Sequence, residues 1–285
     1  MRVLIIDGNN LVHRVFWVSK NQPSFNKYFH VYLFLNSIKN YVEQYYPDKV
    51  YCAWDERLAC NSNAREDMLD TYKGTRDSEK NKEVHAQNEL IKKLLTSLGI
   101  LSVFPEKYEA DDVMAILHKH YSDSEKTIVT ADKDLCQLID TKTVVHDPVR
   151  KKTYTNSNFE NELGVRMEQF LRMKAIKGDK SDNIPGVSGF GEVKTKRVLS
   201  GEITLTEEQE NRVLENMKLL DLSLTLDVKS EWNYVIEQLN IVPNKNYNLF
   251  KEVCELCNFQ QIIRNIEGWY NTFFIKDRLQ SILNY

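Results

Sequence analysis

Cysteine, proline and glycine are all scarce in this chain of 285 residues, which has five Cys, six Pro and ten Gly. An odd handful of cysteines, at 52, 60, 136, 254 and 257, makes no disulfide framework and fits a reducing compartment. So few Pro and Gly exclude a collagen-like or low-complexity chain. No apolar run approaches the roughly 20 residues that cross a bilayer. The opening run MRVLIIDGNN turns polar at Asp7, which excludes a secretory signal. Strong positive charge is missing too. The formal net charge is −3, so a nucleic-acid partner would have to meet a local basic patch. A soluble cytoplasmic protein without membrane contact is expected.

What remains is ordinary globular composition, 42% hydrophobic and 28% charged. The length allows about two domains. Short apolar runs at Val3–Ile6, Lys49–Trp54, Thr127–Thr130 and Thr143–His146 alternate with helical stretches, and Gly99–Phe104 makes a fifth. One helix carries Leu90, Leu94, Leu95 and Leu98 on one face. This alternation predicts an α/β fold with a mostly parallel sheet covered by helices. Residues 56–85 are polar and too long for a simple connection, so a mobile helical cover is expected there. Beyond 166 the β-like runs thin out. Helices are predicted over Met167–Ile176, over Val193–Leu199 after the turn-rich KGDKSDNIPGVSGFGE, from the capping box Thr206–Gln209 to Leu220, and through FKEVCELCNFQQIIRNI. Two domains follow, a core over 1–165 and a helical region over 166–285.

Carboxylates give the sharpest signal. Three β-like runs end in an aspartate, at Asp7, Asp55 and Asp132, with Asp134 two residues on. Glu109, Asp111 and Asp112 directly precede the apolar stretch VMAILHKH. Ligands of open parallel sheets bind beyond the carboxyl ends of the strands, so these acids would share one rim. Any one of them is an ordinary turn or helix-start residue. Seven together repel one another and need counter-cations. Oxygen donors without His or Cys suit a hard ion, Mg²⁺ or Mn²⁺, and seven exceed what one ion takes. Two ions about 4 Å apart suit displacement at phosphorus. Asp179 and Asp182, in a Gly-containing turn, either join this rim or are plain turn residues.

Positive groups are local. Residues 172–197 hold seven Lys or Arg, including Lys194 and Lys196, against three acids. The glycines of GVSGFG, among them Gly189 and Gly191, precede a helix whose N–H groups could cradle a phosphate. Tyr72, Lys73 and Arg76 lie within five residues, with Arg65 upstream; an aromatic beside cations suits a single strand, although a solvated helix with Asp70 and Asp77 explains them as well. Cys254 and Cys257, Trp232 and Trp269 are expected to pack, and His118 and His120 to be exposed or capping.

The ordered set IDGNN, AWDE, YKGTR, YEADDV, TADKDL and KGDKSDNIPGVSGFG resembles the five-prime nuclease family of flap endonucleases and five-prime exonucleases, over about residues 3–200. The short chain is most like a stand-alone bacteriophage member, which would place it in the host cytoplasm. The resemblance implies a PIN-like nuclease fold, a helix-three-turn-helix duplex-binding element at about 167–200, and two divalent ions. One ion would draw on Asp7, Asp55, Glu109 and Asp111. The other would draw on Asp132, Asp134, Asp179 and Asp182, with Asp112 behind or shared. Lys73 and Arg76 match the cations beside the scissile phosphate, Tyr72 their aromatic neighbour, and Arg14 a further basic position. Residues 56–85 would be an arch for the free five-prime strand. The turn at 186–191 would grip duplex backbone, with K⁺ bound. Val193 stands where the family has lysine, and Asn9 replaces a small residue. Implied partners are DNA with a five-prime flap, nick or free end, an RNA–DNA hybrid, and replisome proteins. The rival readings are a catalytically weak junction-binding module, a phosphomonoesterase built on Asp132 and Asp134, and a ribonuclease.

Overall fold

The structure, a computed structural model, describes residues 1–20, 26–56, 58, 63–69, 71–73 and 78–274. Its centre is a six-stranded sheet of β1 (Arg2–Asp7), β2 (Lys49–Ala53), β3 (Leu101–Val103), β4 (Glu125–Val129), β5 (Thr143–Asp147) and β6 (Lys152–Tyr154), in the order β3-β2-β1-β4-β5-β6. Five strands are parallel, and only β6 runs against its neighbour. The chain winds from β1 outward to β3, then returns to the other side of β1 as β4. The order therefore reverses between β1 and β4. A crevice forms at such a point because the connecting helices diverge to opposite faces.

Strand side chains alternate between two cores. Leu4, Ile6, Cys52 and Trp54 face one side, where α1 (Gly8–Lys20), α2 (Phe29–Tyr45), α3 (Ser78–His85) and α4 (Asn88–Ser97) pack. Val3, Ile5, Tyr51 and Ala53 face the other, against α5 (Ala110–His120), α6 (Phe159–Leu163) and α7 (Met167–Lys177). Gly8 is where the chain leaves β1 for α1: a Cβ there would stand 2.8 Å from the Ala53 carbonyl oxygen. Only glycine lets the helix start this close to β2.

A two-stranded ribbon, β7 (Gly178–Asp179) with β8 (Ile184–Pro185), follows α7 and leads into α8 (Glu192–Leu199). Next come α9 (Glu207–Leu220) and α10 (Lys229–Gln238), then α11 (Tyr247–Leu256), α12 (Gln260–Ile263) and α13 (Ile266–Asn271). Thr206 caps α9 as its capping box predicts. Packing crosses the boundary expected at 165: Val235 of α10 joins the core of α5, while Phe250, Cys254, Cys257 and Trp269 join that of α1 and α2.

Two expectations need correction, and one strand is new. The stretch FKEVCELCNFQQIIRNI is broken, because Asn258 takes a left-handed φ of 56° and ends α11 before α12. The edge strand β6 was not anticipated; three residues beside an exposed turn carry too little apolar pattern. The cover over 56–85 is helical only in α3 among its described residues, since 64–68 and 71–73 form turns. Lys73 has a left-handed φ of 52°, so its backbone is not helical, and Arg76 lies outside the described residues.

Candidate metal centre

A cavity of about 620 Å³ opens at the crevice between β1 and β4, lined by Asp7, Asp55, Glu109, Asp111, Asp132 and Asp182, with Lys73. Strand geometry places the first members. Asp7 is the last residue of β1, Asp55 stands two beyond β2, and Asp132 three beyond β4. Glu109 and Asp111 sit at the start of α5, which runs back from this rim.

Fixed dipoles hold these acids. Asp7, 6% exposed, accepts the Asn10 backbone N–H at 2.9 Å and the Thr130 hydroxyl at 2.8 Å. Asp55 accepts the Asn9 side-chain amide and the Ala110 N–H, each at 2.9 Å. Asn10 Oδ1 accepts the Ala131 N–H at 3.1 Å, tying the first turn of α1 to the loop that carries Asp132. The two asparagines after Gly8 thus position carboxylates on both neighbouring strands.

Crowding shows in the protonation. Burial pushes the Asp7 carboxyl up to about 7, with Asp55 and Asp132 adding to the rise against the two hydrogen bonds. Burial, then Asp132, Asp7 and Asp55, hold the Asp111 carboxyl well above the carboxylate range. Burial and Asp132 raise Asp134 to about 6, although Lys174 opposes them. Asp134 pairs with Lys174, but Asp7 and Asp111 make no ion pair among the described residues, and the donors of the rim are all oxygens. A hard divalent cation supplies what is missing. Among the described residues, no three acids, imidazoles or thiols stand close enough together to hold an ion as placed. Repulsion and the separate hydrogen bonds spread them around the cavity.

Asp134 and Asp179 lie beside the cavity, joined by Lys174, whose ammonium is 2.8 Å from one and 2.9 Å from the other. Lys174 comes from α7, so it ties the helical region to the acidic rim. Its neighbours Asp134 and Asp179 outweigh burial and raise its pKa. Sequence reasoning counted Lys174 only as bulk positive charge; its spacing of five residues before Asp179 was the available signal.

Glu109 is different. Burial would raise its pKa, yet Lys73 and Arg65 outweigh burial and hold it at about 2. Its oxygens accept Lys73 Nζ at 2.5 Å, the Tyr72 hydroxyl at 2.8 Å and the Asn63 amide at 3.0 Å. Tyr72 is buried, its hydroxyl also 3.5 Å from Asp182 Oδ2.

Arg65 departs from expectation, and Asp112 takes the place behind the rim rather than a shared one. Arg65, expected at DNA, is 5% exposed and forms a forked pair with Asp112 at 2.5 and 2.8 Å. Its Nε donates to the Leu219 carbonyl of α9. Asp112, expected near an ion, is fully buried, does not line the cavity, and also accepts the Thr225 hydroxyl and the Glu109 N–H. The charges satisfy each other inside the protein and form the floor beneath Glu109. Arg14 also faces away from the cavity, 3.3 Å from Ser37 of α2. Gly189 and Gly191 lie at the exposed turn before α8; Lys194 reaches over the Phe190 ring, and Lys196 pairs with Glu192. His13 and Trp17 of α1 and His85 of α3 line the cavity as well. Their helical periodicity after Asp7 was readable, but the approach of α3 was not.

A mostly parallel sheet with acids gathered where its strand order reverses is the arrangement of a protein that can hold hard divalent ions at the carboxyl ends of its strands. Residues 2–164 match the model of the 5'-3' exonuclease N-terminal resolvase-like domain. The Bacillus subtilis 5'-3' exonuclease is 32% identical over 77% of this chain and 75% of its own length. The chain therefore belongs to the 5'-3' exonuclease family. A DNA polymerase I from Caldicellulosiruptor bescii is 33% identical over 74% of this chain, which spans only 26% of that polymerase. In fold, the T5 5'-exonuclease, seen with zinc ions bound, matches 85% of this chain and 99% of its own, with TM-score 0.70 and 20% identity.

Proposed function

We propose that this chain is a divalent-metal-dependent nuclease that hydrolyses DNA phosphodiesters at five-prime ends or flap junctions. The observation that carries this reading is the convergence of six acids and Lys73 on one cavity at the strand-order reversal. Asp7, Asp55, Glu109 and Asp111 would hold one Mg²⁺ or Mn²⁺, and Asp132, Asp134, Asp179 and Asp182 a second. When bound, such ions lower the pKa of water and offset charge building up at phosphorus.

The chain's own residues do the rest. Lys73 faces the cavity from the edge and can share its ammonium between Glu109 and a phosphate oxygen. Arg76 is assigned with it from sequence alone. Tyr72 works from behind, orienting Glu109 rather than stacking on a strand. His13 and Trp17 offer an aromatic wall for an unpaired base. The segment α7–β7–β8–α8, with Gly189, Gly191, Lys194 and Lys196, has the order of a helix-three-turn-helix element for duplex backbone, and K⁺ at 186–191 belongs to that reading. Backbone contacts of this kind also accept an RNA–DNA hybrid. Removal of primers or flaps in replication, beside replisome proteins, is the cellular role that fits.

Asp132→Asn should lower turnover about 10³-fold, the loss expected when several kcal/mol of metal-borne stabilisation disappear. Binding to flapped DNA should stay within about twofold. Wild-type turnover in that variant would count against the two-ion assignment. Tight binding by an inactive wild type would favour the junction-binding module.

A further inference from the structure

A second cavity, of about 390 Å³, lies between α6, α7, α8 and the turn after β4. It is separate from the acid-lined crevice but shares Lys174 with its flank. Four lysines line it, Lys133, Lys174, Lys177 and Lys196, against Glu162 and Glu192. Most of these charges are already matched. Lys174 is held by Asp134 and Asp179, Lys196 by Glu192, and Glu162 by Lys152 outside the cavity. Lys133 and Lys177 make no ion pair among the described residues, and both reach solvent. Lys177 is near enough to lower the Glu192 carboxyl, so the cavity keeps Lys133 unpaired and Lys177 only partly offset by a carboxylate already held by Lys196.

Thr195 supplies a second, independent observation. It lies on α8, is 1% exposed, and lines this cavity, yet its hydroxyl has no hydrogen-bond partner. A buried hydroxyl without a partner is costly. Valine would fill nearly the same space without that cost, so a hydroxyl here asks for an acceptor that comes from outside. An acceptor drawn by lysines is an anion, and tetrahedral oxyanions take hydroxyl and ammonium donors together.

We propose that this cavity binds a phosphate group, with Thr195 Oγ1 donating from the floor and Lys133 and Lys177 pairing at the mouth. It rests on the nucleic-acid reading above for its source, a backbone phosphate of the duplex beside the cleaved strand. Inorganic phosphate shares the chemistry and is the alternative source. The position explains why a lysine lies between Asp132 and Asp134. Asp132 lines the acid-lined cavity and Asp134 pairs with Lys174, while the Lys133 side chain lines this pocket.

The test compares wild type, Thr195→Val and the double variant Lys133→Gln, Lys177→Gln, with nicked duplex in EDTA over a range of KCl. A parallel titration follows the Thr195 methyl signal of wild type with millimolar inorganic phosphate. Thr195→Val should bind roughly tenfold more weakly, the loss of one hydrogen bond to a charged group. Its melting temperature should be equal or higher. The double variant should bind more weakly, with a log–log salt slope shallower by about 0.9 for each phosphate that is no longer neutralised. Movement of the methyl signal by phosphate, with duplex binding unchanged in Thr195→Val, would keep the pocket and overturn its backbone source. Wild-type affinity and slope in both variants, with an unmoved methyl signal, would overturn the proposal. So would a weaker Thr195→Val that also melts lower, since that marks a packing role. If wild type binds no DNA at all, the nuclease reading fails and the phosphate titration alone decides the pocket.

Discussion

Arg65 and Lys73 carry the same charge eight residues apart and do different work. Lys73 stays at the cavity edge, whereas Arg65 is sealed beneath it by Asp112, Glu109 and the Leu219 carbonyl. Removing one partner of a buried ion pair leaves the other uncompensated. Arg65→Ala should therefore cost about 3–5 kcal/mol in urea unfolding, where a surface arginine would change it by no more than about 0.5 kcal/mol. Sequence shows where charge lies but not whether it is buried, which is why Arg65 read as a DNA contact and Asp112 was left between a place behind the ions and one shared with them. The acids at strand ends were legible because strand and turn patterns put them there.

The same residues link stability to pH. Asp7 ionises at about 7 in the folded chain against 3.8 as its ordinary value. The folded state therefore holds the proton more tightly, and stability falls as pH rises from 3.8 to about 7. Asp111 and Asp134 shift in the same direction. Metal-free protein should melt higher at pH 5 than at pH 8, and Mg²⁺ should raise the melting temperature more at pH 8. Scanning calorimetry in EDTA and in Mg²⁺ reads both. A flat metal-free profile would mean that burial and the neighbouring carboxylates do not raise these groups.

At the scale of elements, the strands were readable because β1 carries the buried apolar run Val3–Ile6, and β2 and β4 each end in buried apolar residues before their aspartates. The ribbon after α7 was visible as Gly and Pro but not as structure. Gly178 has φ 69°, and a Cβ on Gly186 would stand 2.2 Å from the Lys177 carbonyl oxygen. Backbone cannot yield there as a side-chain end does. Gly186→Ala should destabilise the chain by more than about 1 kcal/mol and weaken duplex binding, measured by unfolding and by electrophoretic shift. The break at Asn258 was missed because apolar residues continue across it; only the left-handed backbone separates α11 from α12.

Across the whole molecule, a chain of net charge −3 would meet a polyanion by separating its charges. Acids gather at the crevice, where divalent ions would invert their sign, and lysines gather on α7 and α8. Lys174 joins the two regions. The sheet order that reverses between β1 and β4 is what brings Asp7 and Asp132 together across 125 residues. Apolar runs reveal that strands exist but not which of them are neighbours, so the crevice itself became visible only in three dimensions.

The most direct measurement uses a five-prime-labelled flap DNA and a matched three-prime-flap control, each with purified protein in Mg²⁺ and in EDTA. The two-ion nuclease reading predicts a short labelled product from the five-prime flap alone, lost in EDTA. Cleavage that survives EDTA, or that takes the three-prime flap equally well, would contradict it.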